Sequence, residues 1–280
     1  MATIAVLGTG LLGAAFAENL LSKGHSVRVW NRTRGKLAPL VEQGAVAAED
    51  PADCVRGAER VHLVLSEDTA VDAVVEQLQP GLGDGVPLVD FSTNLPAKVL
   101  ARFERLRAAG VRYVSAPVFM APKHARAATG LIVMSGPKED ADELRPAIEE
   151  MTDKFWHLGE RVDLAAIYKL AGNSFFFAVT AALGDTLALG RANGVEESVM
   201  MELFQEFKPG SGLHMVHERI ATACEGTPSF EMTMAHKDAR LTQEASGDQH
   251  LFVLPAVIAG MARGIDNGDG GADFAAFAKG

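Results

Sequence analysis

The sequence predicts an α/β chain, with a doubly wound parallel sheet over residues 1–160 and an all-α domain over residues 161–280. Three observations carry this expectation. Short β-branched runs alternate with amphipathic helical patterns through the first half, a glycine-rich turn joins the first run to the first helix, and strand signals stop after about residue 160. Strand, helix, strand at this spacing requires right-handed crossovers, which lay helices on both faces of a parallel sheet.

The expected strands are Thr3–Leu7, Ser26–Trp30, Val61–Leu65, Val86–Phe91 and Val111–Ser115. Between them, Leu11–Ser22, Thr33–Gln43, Thr69–Gln79 and Ala97–Ala109 carry apolar residues at helical spacing. Leu131–Ser135 and Phe155–Leu158 are two further strand candidates, flanking a charged helix at Lys138–Met151 in which Pro146 fits poorly. Asp163–Ala192 reads as one long helix that leaves the first domain and founds the second. Two or three more helices follow before a Gly/Asp-rich tail, with a turn at Pro209-Gly210-Ser211-Gly212.

A length of 280 residues, 48% apolar and 22% charged, is ample for a buried core. The net charge of −10 disfavours nucleic acid or an anionic membrane as a partner, because phosphate surfaces demand concentrated positive charge. Two distant cysteines, Cys54 and Cys224, rule out a disulfide framework and fit a reducing cytoplasm. No apolar run reaches the roughly 20 residues of a membrane helix. No Lys or Arg precedes Lys23, and Glu18 breaks the first apolar stretch, which argues against a signal peptide.

Gly8-Thr9-Gly10-Leu11-Leu12-Gly13 is a G-x-G-x-x-G element between the first strand and the first helix. The first glycine permits the tight turn, the second lets a pyrophosphate approach the backbone, and the third lets helix pack on strand. Helix N-terminal amides then face the phosphates, so the element points to a dinucleotide. An NAD-specific site places an acidic residue at the end of the second strand. Here Asn31 stands there, followed by Arg32, Thr33 and Lys36. Asn31 removes the repulsion a carboxylate would exert on a 2′-phosphate. Arg32 can stack on adenine and donate to that phosphate, and Thr33 can cap the next helix. The expected cofactor is NADP(H); a merely solvated basic turn is the alternative. Leu65 and Ser66, closing the third strand, join the expected cofactor set.

Between Leu164 and Gly190 only Lys169 and Asp185 are charged, and Asn173 lies one turn beyond Lys169 on the same face. A lone helix lysine can simply snorkel to solvent. In the most apolar helix of the chain, burial lowers its pKa and suits it to proton transfer. The pair His214 and His217, with Glu218 next to the second, has helical i, i+3 spacing that suits a metal, but no further ligand is evident elsewhere in the sequence, so no metal is expected.

Beyond these local readings, the chain resembles the β-hydroxyacid dehydrogenases, the group of 3-hydroxyisobutyrate dehydrogenase and glyoxylate/succinic semialdehyde reductase. The resemblance rests on Gly8–Gly13, Asp90-Phe91-Ser92-Thr93-Asn94-Leu95-Pro96, Ala116-Pro117-Val118, Lys169-x-x-x-Asn173, Phe230 with Lys237-Asp238, and the Gly/Asp-rich stretch before Asp273. It implies a Rossmann-type domain and hydride transfer to a small carbonyl or from a 3-hydroxy acid. Lys169 would be general acid or base and Asn173 would orient the substrate oxygen. Thr93 and Asn94 would lie near nicotinamide and substrate, Phe230 and Asp238 near the substrate and Lys237 near the cofactor, and Lys237 with Asp238 would close the cleft.

One segment departs from the pattern. Carboxylate-binding members follow Ala-Pro-Val with Ser-Gly-Gly, whereas this chain has Phe119-Met120-Ala121, and Ser115 replaces the usual preceding Asp. The bulky residues resemble the imine reductases, a branch with apolar substrates, although that branch commonly has Asp or Tyr at the Lys169 position. Lys123, His124 and Arg126 are candidates for a replacement anion site or for a solvated basic loop. The leading expectation is an NADPH-dependent reductase of small carbonyls. The alternatives are an imine reductase and a non-catalytic NADP-binding sensor, against which the joint presence of Lys169 and Asn173 argues. The small residues Gly172, Ala178, Ala181, Ala182 and Gly184 along an all-round apolar helix predict a homodimer or homotetramer.

Overall fold

The computed structural model describes residues 1–279 and divides the chain into two compact units, Met1–Asn173 and Ser174–Gly280. Six strands form the main sheet of the first unit. They are β1 (Thr3–Leu7), β2 (Ser26–Trp30), β3 (Val46–Ala47), β4 (Arg60–Leu63), β5 (Leu88–Asp90) and β6 (Tyr113–Ser115). All are parallel, in the order β3-β2-β1-β4-β5-β6. The order in which strands are added reverses at β1 and β4, outward to β3 on one side and to β6 on the other, and ligands of such folds bind outside the strand ends at that switch point. The β1 residues Ile4, Ala5, Val6 and Leu7 are fully buried because helices cover both faces, which is why this strand reads as a continuous apolar run.

The crossovers are α1 (Leu11–Ser22), α2 (Ala38–Glu42), α3 (Pro51–Val55), α4 (Asp68–Leu78) and α5 (Pro96–Ala108). Two expectations change here. The helix expected over 33–43 is a 3₁₀ turn at Arg34–Leu37 followed by α2, and Thr33 occupies its N-cap position without a side-chain cap bond. Pro39 and Gly35 explain the break, since neither favours an uninterrupted α-helix. The strand β3 was not expected, being an edge pair too short to show alternation. Likewise α3 was missed; Asp50 caps it by accepting the Asp53 amide at 2.7 Å.

A second sheet of three strands follows: β7 (Val118–Phe119), β8 (Leu131–Met134) and β9 (Lys154–His157). β7 runs antiparallel to β8, pairing Phe119 with Leu131, and β8 runs parallel to β9. The short α6 (Pro122–Arg126) links β7 to β8, and α7 (Lys138–Glu149) links β8 to β9. Phe119, expected on a loop, is therefore on a strand. Its extended backbone is imposed by β8, not by its own two-residue run. Pro146 is accommodated within α7.

The helix α8 (Leu164–Ala192) spans 29 residues. By length and composition it could cross a membrane, contrary to the sequence expectation: its most apolar 18-residue window has mean hydropathy 1.3 and is 11% buried. In the second unit four helices follow among the described residues, where two or three were expected. They are α9 (Glu197–Glu206), α10 (Leu213–Thr222), α11 (Met232–Ala245) and α12 (Leu254–Gly264). Met232, Ala235 and Met261 form their buried core. Asp185, the second charge of α8, accepts the amides of Phe252, Val253 and Leu254 at 2.5–2.8 Å and so caps α12.

Candidate active site in the first unit

A cleft of about 480 Å³ lies where β1 and β4 part company. Its floor is the glycine turn. Gly8 adopts φ +99°, and a Cβ there would lie 2.2 Å from the Val64 carbonyl. A Cβ at Gly13 would lie 1.9 Å from the Gly8 carbonyl, so helix and strand touch backbone to backbone. At Gly10, exposed at the start of α1, a Cβ would meet nothing within 4 Å. The turn is thus closed behind and open in front, the geometry a pyrophosphate against a helix N-terminus requires. The donor set fits a dinucleotide.

Asn31 stitches the turn to the end of β2. Its Oδ1 accepts the Thr9 amide at 3.1 Å and its Nδ2 donates to the Thr33 carbonyl at 3.0 Å. Arg32, Thr33 and Lys36 are exposed at the cleft mouth, and among the described residues neither cation has an acidic partner. Gly8, Gly10, Leu11, Leu12, Gly13, Asn31, Arg32, Thr33, Lys36, Leu65, Ser66 and Thr93 all line the cleft. Thr9 does not; its side chain is buried beneath the turn. Lys237, the last expected cofactor residue, sits exposed on α11 in the second unit, 3.0 Å from Asp238.

The far wall comes from residues the sequence reading missed, chiefly Ala70, Ala73, Val74 and Gln77 on α4. The signal available was topological: α4 follows β4, the strand across the switch point from β1.

A buried polar network fixes the β5–α5 loop. Asp90 is fully buried and accepts from the Ser92 amide at 2.9 Å, Asn94 Nδ2 at 2.8 Å and the Tyr113 hydroxyl at 2.7 Å. Burial pushes its carboxyl above the usual range. Behind it, Arg102 is 1% exposed and pairs with Asp68 and Asp72 at 2.9 and 2.8 Å. Ser92 Oγ accepts the Leu65 amide at 2.9 Å, tying this loop to the end of β4. Thr93 is thereby held on the cleft surface, while Asn94 turns inward toward Asp90.

Lys169 on α8 is half-buried, and burial lowers its pKa. Its Nζ donates to the Val118 carbonyl at 2.7 Å and lies 4.6 Å from the centroid of the Phe119 ring. Asn173, one turn on, is also half-buried. Met120 packs against Gly130, whose φ of +101° turns the chain into β8. Of the three candidate anion anchors, Arg126 is ion-paired with Glu18, and His124 Nδ1 accepts the Ala121 amide at 3.1 Å. Lys123 alone is exposed without an acidic partner among the described residues.

The remaining expected residues lie in the second unit. Phe230 stacks edge-on against Phe274 at 5.6 Å, and Asp238 is exposed. Asp273 accepts from Arg219 Nε at 2.7 Å, from Ser229 and from the Ala275 amide. The Arg219 hydrogen bond leads the interactions that hold its carboxyl well below the usual range.

Taken with this geometry, the comparisons define the class. The family profile of the NAD binding domain of 6-phosphogluconate dehydrogenase matches residues 3–159. The chain belongs to the β-hydroxyacid dehydrogenase family of NAD(P)-binding oxidoreductases. It is 32% identical over 220 residues to 3-hydroxyisobutyrate dehydrogenase of Pseudomonas aeruginosa, covering 75% of this chain and 72% of that one. It is 28% identical to glyoxylate/succinic semialdehyde reductase 1 of Arabidopsis thaliana, covering 91% and 89%. Among solved structures, the Streptomyces aurantiacus imine reductase is similar with TM-score 0.87 and 25% identity, covering 99% of this chain and 98% of that one.

Proposed function

We propose that this protein is an NADPH-dependent reductase of small carbonyl compounds in which Lys169 is the general acid, or the base in reverse. The carrying observation is the half-buried Lys169 ammonium, anchored 2.7 Å from a backbone carbonyl, with burial as the cause of its lowered pKa. A lysine so placed can give up a proton more readily than one in water. Held in the cleft lined by Gly8, Gly10, Gly13, Asn31 and Arg32, NADPH would supply the hydride. Lys169 donates a proton to the substrate oxygen as charge develops there, and Asn173, one turn along the helix, orients that oxygen. The Val118 carbonyl keeps the ammonium in place between turnovers.

NADPH rather than NADH is favoured by Arg32 and Lys36 at the cleft mouth and by Asn31 where an acidic residue would repel a 2′-phosphate. The alternative substrate is an apolar imine. Phe119 and Met120 support it, as does likeness to an imine reductase over 99% of the chain. Assembly is proposed as a homodimer or homotetramer, because Phe175, Phe176 and Phe177 of α8 are 53%, 66% and 65% exposed within the single chain. Assay of aldehydes, 2-oxo and 3-oxo acids, 3-hydroxy acids and cyclic imines against both cofactors tests the reading. Turnover of none of them, with NADPH bound, would overturn it.

A further inference from the structure

Phe119 has an unusual seat. On β7 its neighbour Val118 is buried and pairs with Ile132, while Phe119 pairs with Leu131 and projects to the opposite face. The ring occupies the notch left by Gly172: a Cβ there would lie 2.4 Å from Phe119 Cε1 and 2.7 Å from Cζ. Gly172 is three residues beyond Lys169, hence on the same face of α8. One strand therefore supplies both groups that meet the ammonium, the Val118 carbonyl at 2.7 Å and the Phe119 ring at 4.6 Å. Among the described residues Lys169 has no carboxylate partner, and burial lowers its pKa. Tyr168 beside it on α8 packs edge-on against Trp156 at 5.6 Å.

We propose that Phe119 is a positioning residue for Lys169, its ring face holding the ammonium against the Val118 carbonyl and favouring the charged form. The negative face of the ring attracts the cation, and the attraction strengthens as water is excluded. Gly172 is the permissive half of the device, because any side chain there displaces the ring. The inference builds on Lys169 as proton donor, yet its direct readout is the charge state of Lys169 itself.

The test is titration of the full chain carrying ¹³C-labelled lysine, the Lys169 signal being the one missing from Lys169→Gln. Phe119→Leu removes the ring face while keeping apolar volume, and should lower the Lys169 midpoint by about 0.4–1.5 pH units. Phe119→Tyr should restore it. Gly172→Ala should lower it with Phe119 chemically intact, which guards against a folding defect in the leucine variant. An unmoved midpoint in folded Phe119→Leu and Gly172→Ala overturns the proposal. The alkaline limb of kcat should move down with the midpoint. If the midpoint moves and the limb does not, Phe119 positions Lys169 but Lys169 is not the proton donor.

Discussion

Replacing Arg32 with alanine isolates the basis of cofactor choice. Arg32 is exposed at the mouth of the cleft, beside Asn31 and Thr33, with no carboxylate among the described residues to compete for its guanidinium. Its removal therefore breaks nothing in the protein, and the whole effect falls on the ligand. A charge-assisted hydrogen bond contributes about 1.5–3 kcal/mol, which converts to roughly 10- to 150-fold in NADPH affinity. NADH lacks the 2′-phosphate and should lose little. Because the contact is exposed, the NADPH penalty should shrink as salt rises. Fluorescence titration of both cofactors with wild type and Arg32→Ala gives the four dissociation constants needed. Equal weakening of NADH and NADPH would show that Arg32 only stacks on adenine. Equal binding of the two cofactors by the wild type would refute the reasoning altogether.

Phe119→Ser should shift kcat/KM away from apolar aldehydes, ketones or imines toward short acids such as glyoxylate, since an apolar ring cannot pair a carboxylate; an unchanged ratio across the substrate panel contradicts this. Light scattering at micromolar concentration should give a mass at least twice 29.7 kDa, and Phe176→Asp should reduce it; a wild-type monomer refutes the assembly. Asp273→Asn should destabilise the protein at neutral pH. The native carboxyl of Asp273 is held below its usual value, so its contribution is present above the unfolded carboxylate pKa of about 4 and fades as pH falls through the lower native value. The stability gap between wild type and Asp273→Asn in urea should therefore narrow from pH 6 to pH 2; a constant gap excludes the linkage.

The parallel sheet and glycine turn were legible because both follow from local rules, a continuous apolar strand and three glycines with distinct steric tasks. Lys169 was legible as a charge out of place in an apolar helix. Its partners were not, because Val118 and Phe119 reach it through a two-residue strand that takes its conformation from β8. Arg126 read as a free cation, yet Glu18, 108 residues away in sequence, claims it. The Asp90–Tyr113–Arg102 network was equally hidden, since burial decides its chemistry and burial belongs to the tertiary fold. Asp185 was legible only as the second charge of α8; that it accepts the amides of Phe252, Val253 and Leu254 at the start of α12 belongs to the tertiary fold.

The most direct measurement is the single-turnover rate of Lys169→Ala with NADPH and the best carbonyl substrate of the wild type, alongside its NADPH affinity. General acid catalysis contributes about 10²- to 10⁴-fold, so the rate should fall by that much while NADPH binding stays within a few-fold. A rate near wild type, with cofactor bound normally, would make Lys169 a structural lysine and contradict the account.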